Sequence, residues 1–157
     1  MSHVFISYSR KNLDFVEKLM KDLNGHNISI WIDKDGLIVG TESWEQTIRE
    51  AIRDSQALIY IASEDARQSR YVRDELMIAE MYQRPIFPLW ADGERWPECA
   101  PLGRIGMQYE DARKSHQYVA AVETLVGTLR QRIATPTSLV RRDLPKDFAP
   151  RNPYKGL

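Results

Sequence analysis

Glu75 follows Tyr71 by four residues in Ser69-Arg70-Tyr71-Val72-Arg73-Asp74-Glu75-Leu76, one polar loop after the apolar run Ala57-Leu58-Ile59-Tyr60-Ile61-Ala62. On a helix, that spacing stacks the aromatic ring and the carboxylate on one face. The order of buried strand, polar loop and helix sets the pair at the carboxyl end of a strand, where open α/β sheets bind ligands. A carboxylate in such a place can stabilise positive charge that develops in a transition state. The competing reading is a solvated helix glutamate paired with a nearby arginine. An enzymatic reading of the chain stands or falls on Glu75.

The elements that must position this pair alternate between strand and helix signals. Val4-Phe5-Ile6-Ser7-Tyr8 is short and β-rich. Asn12 is expected to cap a helix in which Val16, Leu19, Met20 and Leu23 recur at helical spacing, and Asn24-Gly25 to stop it. Ile28 to Ile32 reads as the second strand, and a long polar loop runs from Asp33 through Gly36 to Gly40 and Thr41. Ser43, with Gln46 three residues on, reads as a capping box for a helix that buries Ile48, Ala51 and Ile52. Ala57 to Ala62 is the third strand, and residues 70 to 83 the third helix. Pro85 to Trp90 reads as a fourth strand, its two prolines arguing for a less central place. A Gly/Pro-rich loop covers residues 91 to 105, a weak fifth strand Gly106 to Tyr109, and a last helix Ser115 to Arg132, with Val119, Val122, Val126 and Leu129 inward. Near-continuous apolar strands alternating with helices indicate a parallel sheet covered on both faces. The expected fold is α/β, a flavodoxin-like three-layer sandwich with a five-stranded parallel sheet.

The 157 residues suit one domain, residues 1–134, followed by a proline-rich tail over 135–157 with Arg141, Arg142, Lys146, Arg151 and Lys155. That tail reads as an interdomain linker, with a nucleic-acid-binding arm as the minor alternative. Lys+Arg and Asp+Glu balance at 22 each, which gives no electrostatic argument for nucleic acid or an anionic membrane. A single cysteine, Cys99, excludes an internal disulfide framework and suits a reducing cytosol. The opening residues lack a signal-peptide pattern and no apolar run approaches a membrane span, so the expected location is cytoplasmic.

Several chemistries lack their residues. There is no Gly-x-Gly-x-x-Gly after a strand, no Gly-Lys-Ser/Thr and no Gly-x-Ser-x-Gly. Ser7-Tyr8-Ser9-Arg10 lacks the acidic cluster of a phosphoacceptor site. His3, His26 and His116 are scattered without metal-ligand spacing, so no metal is expected.

The remaining motifs resemble the Toll/interleukin-1 receptor (TIR) domain family, particularly its bacterial members. Val4-Phe5-Ile6-Ser7-Tyr8-Ser9 is similar to its first strand, Trp31-Ile32-Asp33 to its second, and Gly40 and Trp44 to the loop and helix start that follow. Ser63 and Ser69-x-Tyr71-x-x-x-Glu75-Leu76 resemble the segment that bears the family's catalytic glutamate. Asp92-Gly93-Glu94-Arg95-Trp96-Pro97 resembles the loop after the corresponding strand in the family's animal axon-degeneration NAD hydrolase. Arg151-Asn152-Pro153-Tyr154-Lys155-Gly156-Leu157 resembles, over seven residues, the lead-in to STAND-type ATPase and WD-repeat modules, which implies a downstream domain. One departure is Tyr71, which stands where the enzymatic pattern often has tryptophan.

The resemblance implies self-association with other TIR domains. It also implies cleavage of NAD, as substrate rather than cofactor, to nicotinamide and ADP-ribose or a cyclic ADP-ribose, in bacterial antiviral defence signalling. The alternative is a non-catalytic TIR–TIR adaptor. Under this reading Glu75 is the catalytic carboxylate. Arg10 is either a pyrophosphate ligand or a surface arginine, and Tyr8 either lines the nucleotide site or sits in the core. Tyr71 stacks on nicotinamide or packs on the third strand. Trp96 is a ligand platform or a pin for its loop. Asp33, Gly36, Gly40 and Trp44 belong to an assembly and gating loop; the alternatives are an ordinary connection for the loop and, for Trp44, inward packing as a staple, which is the more expected of its two roles. Cys99 is expected to be an inert packed thiol.

Overall fold

The computed structural model of the chain describes residues 3–32 and 42–134. Asp33, Gly36 and Gly40 of the proposed assembly loop, and the proposed linker 135–157, lie outside the described residues. Strands β1 (His3–Ser7), β2 (Ile30–Trp31), β3 (Ser55–Ala62), β4 (Ile86–Trp90) and β5 (Glu110–Asp111) form one parallel sheet in the order β2-β1-β3-β4-β5. The helices are α1 (Leu13–Gly25), α2 (Glu42–Arg53), α3 (Glu64–Gln68), α4 (Arg70–Met81) and α5 (Ser115–Ala134). This is the five-stranded flavodoxin-like order expected from the sequence, and its direction reverses between β1 and β3.

The pleat sorts the core into two halves. Along β3, Ala57, Ile59 and Ile61 meet the layer of α1 and α5, whereas Leu58, Tyr60 and Ala62 meet the layer of α2 and α4. Ile6 and Val4 of β1 belong to the first half and Phe5 to the second. Strands buried on both faces are apolar at almost every position, which is why they read as near-continuous runs.

Five local expectations need correction. Asn12 makes no cap hydrogen bond; Ser9 instead heads a 3-10 turn over Arg10–Asn12, and the Asn12 Oδ1 accepts a hydrogen bond from Ser63 Oγ at 2.7 Å. α2 begins at Glu42, so Ser43 stands inside its first turn rather than before it. The polar residues after β3 form the short helix α3, which hydrophobic periodicity could not reveal over five residues. β5 is Glu110–Asp111 rather than residues 106 to 109. Val119 is 56% exposed: α5 buries Tyr118, Ala121, Val122, Leu125, Val126 and Leu129, and Val119 stands at the margin of that stripe.

The expected proline effect in β4 takes a specific form. Ala91 N–H donates to Ala62 O on the β3 side, while Trp90 O accepts from Ala112 N on the β5 side. Backbone groups alternate along a strand, so the Pro88 nitrogen also faces the β5 side. There β5 pairs only with Leu89 and Trp90, and nothing is asked of an N–H at position 88. Among the described residues, no helix is long and apolar enough to cross a membrane.

Candidate functional site

Two serines set the approach of α4 to the sheet. Ser63, the first residue past β3, accepts a hydrogen bond from Ala66 N at 3.0 Å and so caps α3. Ser69 has extended backbone and accepts from Val72 N at 3.2 Å, which ends α3 and starts α4 in a new direction. α4 then buries Val72, Glu75, Leu76, Ile78 and Ala79. A carboxylate thus occupies a position in an otherwise apolar stripe, and Glu75 is only 7% exposed. Ser7, fully buried as the last residue of β1, donates its hydroxyl to Glu75 Oε1 at 2.6 Å. Glu75 is therefore not a solvent-exposed helix glutamate.

Glu75 opens onto a cavity of about 340 Å³ at the carboxyl end of β1, the switch point of the sheet. Ile6, Tyr8, Ser9, Arg10 and Lys11 form one wall, Trp44 another, and Ser69, Tyr71, Val72 and Glu75 the third. A smaller hollow of about 50 Å³ beside it shares Trp44 and Glu75 and adds Glu45, Ile48, Asp74 and Ile78. Trp44 is buried, and its ring meets Tyr71 edge-on at 5.4 Å. Tyr71 packs on Trp44, and at 46% exposure it stands at the mouth. Tyr8 is buried in the wall, and the exposed Arg10 guanidinium lies 5.8 Å from its ring centroid. Lys11 is on the same rim, paired with Asp65 at 3.6 Å.

Trp96 is not part of this cavity. Its indole Nε1–H donates to Ile105 O at 2.8 Å, and its ring stacks on Tyr109 at 3.8 Å and meets Trp90 edge-on at 5.5 Å. Of the two sequence readings, the structure matches a pin that holds the loop after β4 onto the core. Cys99 is fully buried in the same loop, and burial pushes its thiol above the usual range. Its Sγ is 3.3 Å from Asp92 O. Among the described residues, no group of three or more His, Cys, Asp and Glu is placed to hold a metal ion.

The cavity combines one buried carboxylate, an aromatic corner and a cationic rim. Such a site can hold a flat cationic group near the carboxylate while anionic groups reach the rim. Sequence reasoning brought Glu75, Tyr71, Tyr8 and Arg10 to this place but passed over Ser7. The signal was present: a serine inside a strand buried on both faces must find a hydrogen-bond partner.

The description "TIR domain" matches residues 4–126 of the chain. No curated protein matches it in sequence. Among solved structures, the chain is similar to the TIR domain of the Toll-related receptor TRR-2 from the lower metazoan Hydra magnipapillata, at 19% identity and a TM-score of 0.67 over 81% of this chain and 97% of that one. It is also similar to the TIR domains of the activated Roq1 resistosome that recognises the pathogen effector XopQ, at 16% identity and a TM-score of 0.58 over 83% of this chain and 98% of that one. At these identities the likeness concerns the fold.

Proposed function

Because the chain belongs to the TIR domain family, which includes NAD-cleaving members, we propose that it is a TIR-domain NAD nucleosidase. The observation that carries the proposal is Glu75, a carboxylate buried at the carboxyl end of β1 and lining the 340 Å³ cavity. In NAD, nicotinamide is a cationic leaving group that departs neutral, so no general acid is required. The transition state at the ribose carbon resembles an oxocarbenium ion. One carboxylate suffices to stabilise that charge and to accept hydrogen bonds from the ribose hydroxyls.

The cavity volume is at the lower end for ligand pockets, which suits the nicotinamide riboside end rather than the whole dinucleotide. Trp44 and Tyr71 would hold the nicotinamide ring, and Arg10 at the rim the pyrophosphate. Trp96 has no part in this assignment. Capture of the ribosyl cation by water gives ADP-ribose and a proton beside nicotinamide; capture by a nucleophile of the substrate's own adenosine end gives a cyclic form instead, with no water consumed.

Self-association, as in the Roq1 resistosome that the fold resembles, is proposed to activate the domain, in keeping with a role in bacterial defence signalling. The experiment is to incubate the concentrated chain with NAD and follow nicotinamide release. Turnover is expected to rise more steeply than protein concentration, and Glu75→Gln to lower it at least about a hundredfold while the protein stays folded. Full activity in Glu75→Gln would remove the assignment. No release from the unaltered chain at any concentration would return the domain to an adaptor role.

A further inference from the structure

We propose that Ser7 is the positioning residue for Glu75, an inference that rests on the catalytic reading of that carboxylate. Ser7 and Glu75 are 68 residues apart in sequence, yet the serine hydroxyl donates to Oε1 at 2.6 Å. That is the distance of a charge-assisted O–H···O⁻ bond, stronger than one between neutral groups. Pleat alternation gives the reason for the meeting. Phe5 belongs to the core half formed with α2 and α4, and Ser7, two residues later, faces the same layer as the strand ends.

Ser7 does not itself touch a ligand. It is fully buried, and the cavity wall passes from Ile6 to Tyr8 without it. It therefore holds the carboxylate from behind. Two features make that useful for catalysis. A fixed donor on Oε1 sets the carboxylate in place before the substrate arrives, the preorganisation that an oxocarbenium-like transition state rewards. It also fixes one oxygen, which confines the rotation of a side chain with three rotatable bonds. α4 supplies the carboxylate and β1 the clamp, so the working geometry depends on the packing of these two elements.

The test compares Ser7→Ala, Ser7→Thr and Glu75→Gln in nicotinamide release from the concentrated chain, with the melting temperature of each. Ser7→Ala is expected to lower kcat about ten- to a hundredfold, the scale of losing one hydrogen bond to a charged group. KM should change less than about twofold, because the substrate-contacting wall is intact. Ser7→Thr keeps a hydroxyl and should recover most of kcat. Full activity in Ser7→Ala alongside an inactive Glu75→Gln would overturn the role of Ser7 and leave that of Glu75 standing. A fully active Glu75→Gln would overturn both. If kcat falls only together with the melting temperature, and Ser7→Thr is as slow as Ser7→Ala, the hydroxyl serves packing and the proposal fails.

Discussion

Glu75 and Gly93 are two positions where this fold accepts an unusual residue for a visible reason. The buried carboxylate of Glu75 takes a hydrogen bond from Ser7 at 2.6 Å, which offsets part of the penalty for leaving water. Gly93 has a φ of +104°, and a Cβ placed on it would collide with the Cys99 Sγ. Gly93→Ala is therefore expected to destabilise the chain by about 2–4 kcal/mol, from backbone strain and overpacking together. Urea unfolding measures this, and a loss below about 0.5 kcal/mol would contradict it. In a Cys99→Ala background the penalty should shrink, because the clash is relieved while the backbone strain stays. The glycine and cysteine could not be paired from sequence, since the contact depends on how the loop after β4 folds back on itself.

Short elements at the carboxyl edge of the sheet do the positioning. Ser63 donates to Asn12 Oδ1 and caps α3 at the same time, so it ties the end of β3 to the start of α1 across the switch point. Ser63→Ala is expected to cost about 1–3 kcal/mol, combining a lost cap with a buried amide oxygen deprived of that donor. Guanidinium or urea titration with an unchanged slope is the check, and a change within about 0.5 kcal/mol would count against the double role. Sequence reading located the long helices and the inner strands because their periodicity spans many residues. It misplaced β5 and overlooked α3, which are too short to carry a period. It also assigned the cap to Asn12, whose side chain is drawn instead to Ser63, 51 residues away.

Over the whole molecule, 22 basic and 22 acidic side chains cancel near neutrality, and acid removes that balance. Hydrogen bonding from Arg113 holds the Asp111 carboxyl below its usual range, and Arg53 does the same for Asp54. A carboxylate whose titration is lowered by folding adds stability above its unfolded value of about 4. That contribution disappears as the pH falls through the lower folded value. Stability is thus expected to decline from about pH 4 downward, and Asp111→Asn to make the decline shallower while lowering stability at neutral pH by less than about 1 kcal/mol, since the pair is partly exposed. Thermal melts of both proteins between pH 7 and pH 3 test this, and parallel curves would exclude it. The sequence by itself determined the sheet class, the order of the long elements and Glu75 as the residue to watch, because strand and helix periods and the motif spacing are local. Tertiary structure decided the rest. It buried Glu75 beneath the end of β1 and gave it Ser7. It made Trp44 a wall of the cavity and turned Trp96 onto Trp90 and Tyr109, away from it. Each of these depends on which strands and helices pack together, and contacts between residues dozens of positions apart leave no periodic trace in the chain.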